Sequence, residues 1–392
     1  MDRSTSTAAG TAISDAGLKL TTNLLSELVP HNCHVDKDVL ISPLGVQLAL
    51  ALALEGAAEQ TAAQLRLAVG YGPDASQEQV HADMASLAAA LRDGEAQLAV
   101  ANALWVDSKL PIDPAFVARA AELVAKARNV DFAQGDAVRS RINGWVAEKT
   151  NHKINHLLAA GSVTPDTRLI VTNAIHFKAV WQHKFKHQNT NAAPFHTLGG
   201  GGDLQVQMMR QSSNLAHASF KTHAAVSLPY KDSHLRMLIL LPHDNSVEAL
   251  FNVHASLVGL RGQYEQLSVK PVELALPRFE INAEFELSSV LQSLGVTDPF
   301  GMSADFSALT TTDAAGKELR IDQVIHKTFI KVDEEGTEAA AATAVVVRRK
   351  RKAARSEEQF VVDRPFVFAI YHALLHCPVF VGQVARPNTR GQ

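Results

Sequence analysis

The stretch that decides the interpretation of this chain is Glu334-Glu335-Gly336-Thr337-Glu338-Ala339-Ala340-Ala341-Ala342-Thr343-Ala344-Val345-Val346-Val347. If the stretch is a strand, alternate side chains point to opposite faces. Such a segment can lie in solvent and can also enter a sheet without burying a charge, at ~3.3 Å per residue over roughly 35–40 Å. An Ala-rich helix or a surface linker is the alternative. The face without charge carries Thr337, Ala339, Ala341, Thr343, Val345 and Val347, and the other carries Glu338, Ala340, Ala342, Ala344 and Val346.

A basic run follows directly and reads Arg348-Arg349-Lys350-Arg351-Lys352, with Arg355 just beyond it. A run of this kind is typical of a solvated surface, or of a nuclear-localisation or nucleic-acid patch. Its position at the tip of an insertable segment adds a third interpretation, which is bait for a protease. Trypsin-like proteases place a carboxylate where Lys or Arg enters the specificity pocket.

The composition is that of a globular chain. The 392 residues carry a net charge of −3, with 46% hydrophobic and 20% charged residues. A disordered chain would have lower hydrophobicity and higher net charge, and a globally basic nucleic-acid binder would show an excess of positive charge. No linker or fixed-period repeat divides the sequence, so we expect one domain.

The termini and cysteines bear on the compartment. Cys33 and Cys377 are too few for a secreted disulfide framework. The Ser/Thr/Ala-rich segment Met1–Gly17 lacks the apolar stretch of a signal peptide, and the densest apolar run, Leu48–Leu54, is far shorter than a membrane span. We therefore expect a cytoplasmic or nucleocytoplasmic protein without membrane contact, and an extracellular location is the alternative.

Helical and extended patterns alternate along the chain. Ser42-Pro43 predicts a capped helix start, followed by a helix that is apolar almost all round and therefore buried. Period-two patterns predict strands at 98–106 and 169–177, and the apolar runs 365–371 and 378–384 predict a hairpin. A helix-rich first third and a strand-rich last half favour an α+β fold with antiparallel or mixed sheets.

Signatures of catalysis are missing from the sequence: it contains no G-x-S-x-G, H-E-x-x-H, C-x-x-C or Walker motif. The Gly199–Gly202 run has no Lys-Ser/Thr after it, which favours a loop. Metal binding at His31/Cys33/His34 is disfavoured, because this loop has no further Cys or His nearby. It is disfavoured at His372/His376/Cys377 too, because this set lies between strands, without the helical geometry that chelates zinc. We expect no enzyme activity, no metal and no cofactor.

The sequence resembles the serpin family from about Leu18 to Pro387. The hinge Glu334–Glu338 followed by Ala339–Ala342 matches the inhibitory-loop signature of the family, which is highly specific. Further matches occur in the right order at Ile41–Leu44, Gly56-Ala57, Thr61, Gln64-Leu65, Asn102–Trp105, Asn143–Val146, Lys149–Asn151, Thr172–Lys178, Trp181, Ser227–Tyr230, Leu276–Phe279, Pro365-Phe366 and Phe380–Gly382.

The resemblance implies a single domain over 18–387, with a flexible segment at 1–17, a reactive-centre loop at about 334–358 and a tail at 388–392. It implies helices packed around three β-sheets, of which the five-stranded central sheet accepts the loop as a sixth strand. It also implies a monomeric suicide inhibitor: the target protease cuts the loop, forms an acyl-enzyme and is trapped when the loop inserts.

Family spacing counts Glu334 as the seventeenth residue before the cut, which implies a bait bond at Lys350–Arg351. Cleavage after Arg351 is the alternative and would present a multibasic site to processing proteases. The remaining bait residues are Arg348, Arg349 and Lys352.

Two further regions are implied by the resemblance. Ser42, Asn173 and His326 match the shutter, where the central strands part. Trp181 matches the breach, where the loop enters, and we expect Arg278 to pair there with Glu334. Two departures, Gly45 for a usual serine and Asp38 for a usual asparagine, alter the expected hydrogen bonds of the shutter.

Competing functions remain open at this point. The targets are Lys/Arg-specific serine proteases or basic-specific, metacaspase-like cysteine proteases. A non-inhibitory carrier or chaperone is an alternative that the intact hinge disfavours. A nuclear or nucleic-acid role for Arg348–Lys352 is a further alternative, which is compatible with inhibition. A heparin site in the segment Ser76–Ala96 is disfavoured, because that segment has one arginine and several acids.

Overall fold

The computed structural model describes residues 3–29, 36–90, 97–198, 202–337 and 358–387, with backbone alone for residues 3–14 and residue 313. The predictions for Cys33, for Glu338–Ala342 and for the basic bait therefore concern residues outside the described ranges. Its α-helices are α1 (Arg3–Leu28), α2 (Pro43–Glu55), α3 (Glu59–Ala68), α4 (Gln77–Ala90), α5 (Pro114–Glu122), α6 (Asp136–Lys149), α7 (Val247–Ser256), α8 (Leu260–Glu265), α9 (Ser288–Ser293) and α10 (Asp313–Gly316).

The strands confirm the α+β prediction and its mixed pairing. They are β1 (Val39–Ile41), β2 (Gln97–Asp107), β3 (Ala125–Val130), β4 (Leu169–Val180), β5 (Asn191–His196), β6 (Asp203–Ser219), β7 (His223–Pro229), β8 (Leu235–Pro242), β9 (Ser268–Pro277), β10 (Phe279–Glu286), β11 (Gln323–Val332), β12 (Gly336–Thr337), β13 (Glu358–Val361), β14 (Phe366–His372) and β15 (Cys377–Val384).

The central sheet has the order β10-β11-β12-β4-β2-β3. Five of these strands are long, and β12 is a two-residue strand between β11 and β4. Over most of their length β11 and β4 pair directly and in parallel, up to Phe329 opposite His176. Beyond that level β12 separates them, with Thr337 between Val332 and Ala179. The sheet is therefore closed at one end and parted by the hinge at the other.

The other strands form one hydrogen-bonded sheet in the order β1-β15-β14-β8-β7-β6-β9-β13, with β5 also paired to β6. The predicted hairpin is confirmed as the antiparallel pair β14–β15. The long strand β6 pairs with β5 along its first part, with β9 from Met208 to His217 and with β7 at its end. Two of the three sheets implied by the resemblance are thus joined through β6.

The first helix differs from the expectation for the N-terminus. Helix α1 begins at Arg3, so most of the segment at 1–17 that was expected to be flexible is helical, and the expected domain start at Leu18 falls inside a helix. The physical reason is burial. Leu18, Leu20, Leu24 and Leu25 are packed in the core, and the helix that they anchor extends toward the N-terminus.

Both faces of the central sheet are covered. On one face, residues such as Val171 and Phe177 join the main core, which includes the fully buried helix α2. On the other face, Ala103, Trp105 and Ile170 pack with Ile142 and Val146 of α6 in a second core. The polar residues in the middle of these strands therefore lie in a dry interior, where each needs a hydrogen-bond partner.

Candidate functional site: the breach and the shutter

The hinge enters the central sheet at β12. Both Gly336 and Thr337 are buried, and the Thr337 hydroxyl lies 2.7 Å from the hydroxyl of Tyr230. A Cβ added to Gly336 would lie 2.1 Å from the carbonyl oxygen of Ala179. Only a residue without a side chain fits this backbone approach, so the sequence Gly-Thr is what lets the hinge pair with β4.

Glu334 is held by the ion pair predicted with Arg278. The Arg278 Nε and Nη2 atoms donate to Glu334 Oε1 at 2.9 and 2.5 Å, and the Thr190 hydroxyl donates to the same oxygen at 2.5 Å. The Glu334 side chain is only 1% exposed. Burial acts to raise the pKa of Glu334, but the hydrogen bonds from Arg278 and Thr190 outweigh it and lower the pKa. The carboxylate is therefore charged and paired.

Trp181 packs beside the hinge. Its indole N–H donates to the carbonyl of Asp333 at 2.9 Å, and its ring stacks on Tyr230 with centroids 4.6 Å apart. The backbone N–H of Trp181 donates to the carbonyl of Glu335, and the Glu335 carboxylate accepts from Lys184 Nζ at 2.6 Å. The breach residues Trp181 and Arg278 thus lie together around Glu334–Thr337.

The three predicted shutter residues also lie together, in a hydrogen-bond chain across the central sheet. The N–H of Ser42 donates to His326 Nε2 at 3.0 Å, and His326 Nδ1 lies 2.5 Å from Asn173 Oδ1. Asn173 Nδ2 in turn donates to Asn102 Oδ1. The strand register places Asn102 opposite Asn173 and Asn173 opposite His326, so one polar residue from each of three strands meets at a single level.

The chain of hydrogen bonds defines the protonation state of His326. Because Nε2 accepts from Ser42, the proton of the neutral ring is on Nδ1, which donates to Asn173. Burial lowers the pKa of His326 to about 3. The Ser42 hydroxyl caps α2 by accepting from the Gly45 N–H and donates to the Val379 carbonyl. The imidazole is therefore neutral, and its two nitrogens have fixed roles.

The two departures have different structural consequences. At Gly45, an added Cβ would lie 2.7 Å from Asn173 Oδ1, so glycine leaves the room that this amide occupies. Asp38 lies away from the His326 chain, where its Oδ1 accepts from the backbone N–H groups of Ala385 and Arg386. Only the first departure therefore affects the shutter.

Three contributors were missed by the sequence-based site prediction: Asn102, Tyr230 and Thr190. A signal existed for Asn102, which is an amide in the middle of an apolar period-two pattern, as Asn173 is. Tyr230 belongs to the family match Ser227–Tyr230, but the sequence assigned it no role. Thr190 had no signal, because its contact with Glu334 depends on the fold alone.

At the second disfavoured metal site, His372 and Cys377 lie in surroundings that do not favour metal binding. The His372 ring accepts from the N–H of Leu375 at 3.1 Å, and burial together with His234 lowers its pKa to about 4. Burial raises the pKa of the Cys377 thiol to about 12, which makes it a poor nucleophile. Within the part of the chain that the structure describes, no cluster of three or more His, Cys, Asp or Glu side chains is arranged to hold a metal ion.

Comparison with known proteins agrees with this geometry. A family model described as "Serpin (serine protease inhibitor)" matches residues 15–387. The chain belongs to the serpin family. The serpin fold is thereby established over nearly the whole chain, and the family description makes a target protease the partner class.

Named relatives cover the full length of this serpin. It is 34% identical to the leukocyte elastase inhibitor of Bos taurus, over 96% of this chain and 99% of the relative. It is 33% identical to serpin B8 of Homo sapiens, over 90% of this chain and 93% of the relative. These names support protease inhibition as the general function.

Solved serpin structures are similar throughout. Serpin48 of the insect Tenebrio molitor, described as a highly specific serpin, has a TM-score of 0.86 at 28% identity and covers 96% of this chain and 99% of its own. Uncleaved ovalbumin has a TM-score of 0.83 at 25% identity, covering 96% and 100%. Among the helices of the described ranges, none is long and apolar enough to cross a membrane.

We expect this serpin to lose stability in acid through His326. The pKa of His326 is about 3 in the folded protein and ~6.5 in an unfolded chain. Unfolding therefore takes up a proton between these pH values, so the stabilisation is complete above pH ~6.5 and is lost progressively as the pH falls toward ~3. A protonated Nε2 would also face the Ser42 N–H with a second donor.

Urea unfolding at pH 7.5 and 4.5 measures this loss. His326→Gln should flatten the decline by up to ~1.4 kcal/mol per pH unit. Equal slopes for the wild type and His326→Gln would contradict the assignment. A second measurement uses the wild type alone: an NMR signal of the His326 ring that titrates near pH 6.5 would also contradict the assignment.

Proposed function

We propose that this serpin is a suicide inhibitor of Lys/Arg-specific proteases. In this mechanism the protease attacks the Lys350–Arg351 bond, and the cut loop then inserts between β11 and β4 and traps the acyl-enzyme. The observation that carries the proposal is β12: Thr337 already lies between Val332 and Ala179, so the first residues of the inserting strand are paired before any cleavage.

The register of β12 supports insertion of the rest of the segment. If the antiparallel pairing continues, Ala339 falls between Ile330 and Phe177, which are both fully buried. Only a small side chain can be accommodated at such a level, because a packed core has no free volume. The other inward positions, 341, 343, 345 and 347, are also small or β-branched and uncharged.

The length of the segment supports the same conclusion. Residues 337–347 match β4 residue for residue, from Ala179 back to Leu169 at the start of the strand. The next residue is Arg348, the first of the basic run. The basic side chains therefore begin where the sheet ends, and the bait stays outside the inserted strand.

Trypsin provides the first test. Incubation with excess trypsin should give a denaturant-resistant adduct on gel electrophoresis and a C-terminal fragment that begins at Arg351 by mass spectrometry. Lys350→Ala should slow the reaction or shift the cut. A fragment that begins at Lys352 would move the bond by one residue and make multibasic-processing proteases the next targets.

Clean cleavage without an adduct, by trypsin and by other basic-specific proteases of both the serine and the cysteine class, would contradict the inhibitor proposal. The carrier or nucleic-acid alternatives would then lead. Nucleic-acid binding through Arg348–Lys352 has its own signature, an affinity that falls steeply with salt. The monomeric state and the cytoplasmic or nucleocytoplasmic location stay predictions.

A further inference from the structure

Two lysines lie at the level where the central sheet parts. Direct pairing of β11 with β4 ends at Phe329 opposite His176. If the same register continued for two more residues along both strands, Lys331 would lie opposite Lys178. At the next residue of each strand, Val332 and Ala179 are already separated by Thr337. Lys178 and Lys331, which we call the lysine slot, thus flank the position directly after Thr337 in an inserting strand.

The slot carries two positive charges on one face of the sheet. Val332 and Ala179 are buried toward the core, so Lys331 and Lys178 point the other way; Lys331 is exposed and Lys178 half-buried. Glu280 pairs with Lys331 from β10, and Gln97 pairs with Lys178 from β2. Glu280 and Asp333 therefore offset part of the charge of Lys331, and Lys178 faces the uncharged Gln97. Among the salt bridges of the described residues, none joins either lysine directly to a carboxylate.

A closed sheet is unfavourable at this level. Side chains directly opposite on neighbouring strands interact, and like charges in that position destabilise the pairing. A strand inserted between β11 and β4 moves the two lysines to roughly 10 Å apart, twice the normal strand spacing. If that strand presents a carboxylate at this level, the repulsion is replaced by two attractive cross-strand pairs.

The chain supplies that carboxylate. The residue after Thr337 is Glu338, which lies outside the described residues, and its place in an inserted strand follows from the register of Thr337. We propose that Lys178 and Lys331 are positioning residues for loop insertion: their repulsion keeps the sheet parted below the hinge, and together they receive the carboxylate of Glu338 as the first step of insertion. The inference rests on the proposed inhibitor function.

The consequence is an electrostatic step early in insertion. Insertion competes with release of the protease from the acyl-enzyme, so a slower first step raises the number of inhibitor molecules consumed per trypsin trapped. Salt screens partly exposed charges, and we therefore expect this number to rise with ionic strength in the wild type. Loss of both pairs should slow insertion about fivefold, the size expected of two cross-strand charge pairs.

The test measures that number at low and high salt. The variant Lys178→Gln/Lys331→Gln should raise it and remove its salt dependence. Lys126→Gln is the matched control, since Lys126 is an exposed lysine on β3 of the same sheet, away from the slot. Glu338→Lys should raise the number of inhibitor molecules consumed more than the double Gln variant does. Combining Lys331→Glu with Glu338→Lys should recover part of this loss, which a merely structural role would not produce.

The outcomes separate the two proposals. If the wild type forms the adduct but the double Gln variant behaves like Lys126→Gln at both salt concentrations, or the charge exchange recovers nothing, the slot inference is wrong and the inhibitor function stands. If the wild type forms no adduct, the thermal unfolding temperature is measured before and after cleavage of the loop, in the wild type and in Glu338→Lys. A smaller rise in this temperature for Glu338→Lys supports the slot. An equal rise in the two proteins overturns it.

Discussion

Thr337→Arg is expected to convert this serpin from an inhibitor into a substrate of its target protease. Thr337 is fully buried, and its hydroxyl is hydrogen-bonded to Tyr230. An arginine at this position would have to bury an unpaired charge between Val332 and Ala179, which costs several kcal/mol. The variant should therefore still be cut at the bait bond, while the strand fails to enter the sheet before the acyl-enzyme is released.

The measurement is the number of inhibitor molecules consumed per trypsin trapped, read beside the adduct on a denaturing gel. We expect at least a tenfold rise for Thr337→Arg, because a penalty of ~1.4 kcal/mol on insertion is already tenfold in rate. Thr337→Ser is the control, since it keeps a small side chain and the hydroxyl that faces Tyr230. Undiminished trapping by Thr337→Arg would show that insertion past this position is not needed.

Arg278→Ala is expected to have the second-largest effect, through the stability of the native state. It leaves the Glu334 carboxylate, with its 1% exposed side chain, without its main counter-charge. Breaking a fully buried ion pair in this way costs about 3–5 kcal/mol. Arg278 is 37% exposed, so water partly replaces it, and we expect the free energy of unfolding to fall by about 2–3 kcal/mol.

Urea unfolding at neutral pH checks this value. Arg139→Ala is the matched control, because Arg139 pairs with an exposed aspartate, Asp136, on the surface of α6; its effect should stay within ~0.5 kcal/mol. Arg278→Lys should fall in between, since lysine keeps the charge but lacks the planar fork through which two guanidinium nitrogens donate to the carboxylate. A loss for Arg278→Ala no larger than that of Arg139→Ala would mean that the other groups around Glu334, Thr190 and His187, hold its carboxylate without Arg278.

Local patterns predicted much of the fold. The cap at Ser42-Pro43 and the buried helix after it follow from two adjacent residues and an apolar run, and the structure has both. The strands β2 and β4 follow from period-two patterns. Helix α1 was missed because its N-terminal part is rich in Ser and Thr, and the buried leucines that stabilise it lie further along the chain.

The candidate site was predicted less completely. The family resemblance named Ser42, Asn173 and His326 as the shutter, and the structure joins them. Asn102, the fourth member of the chain, lay in a family match but was given no role. The pair Arg278–Glu334 was expected, but its burial was not predicted. In the structure the Glu334 side is closed from solvent, and Thr190 adds a third hydrogen bond to its carboxylate.

By itself, the sequence determined the chemistry of the segment after Gly336: which side chains are small, which face carries no charge, and where the basic run begins. These properties are local, because they depend only on residue type and on a period of two. Tertiary structure alone decided where the central sheet parts and which residues flank the opening. Strands β4 and β11 are far apart in the chain, and only the register of the folded sheet sets His326 opposite Asn173 and brings Lys331 to the level of Lys178.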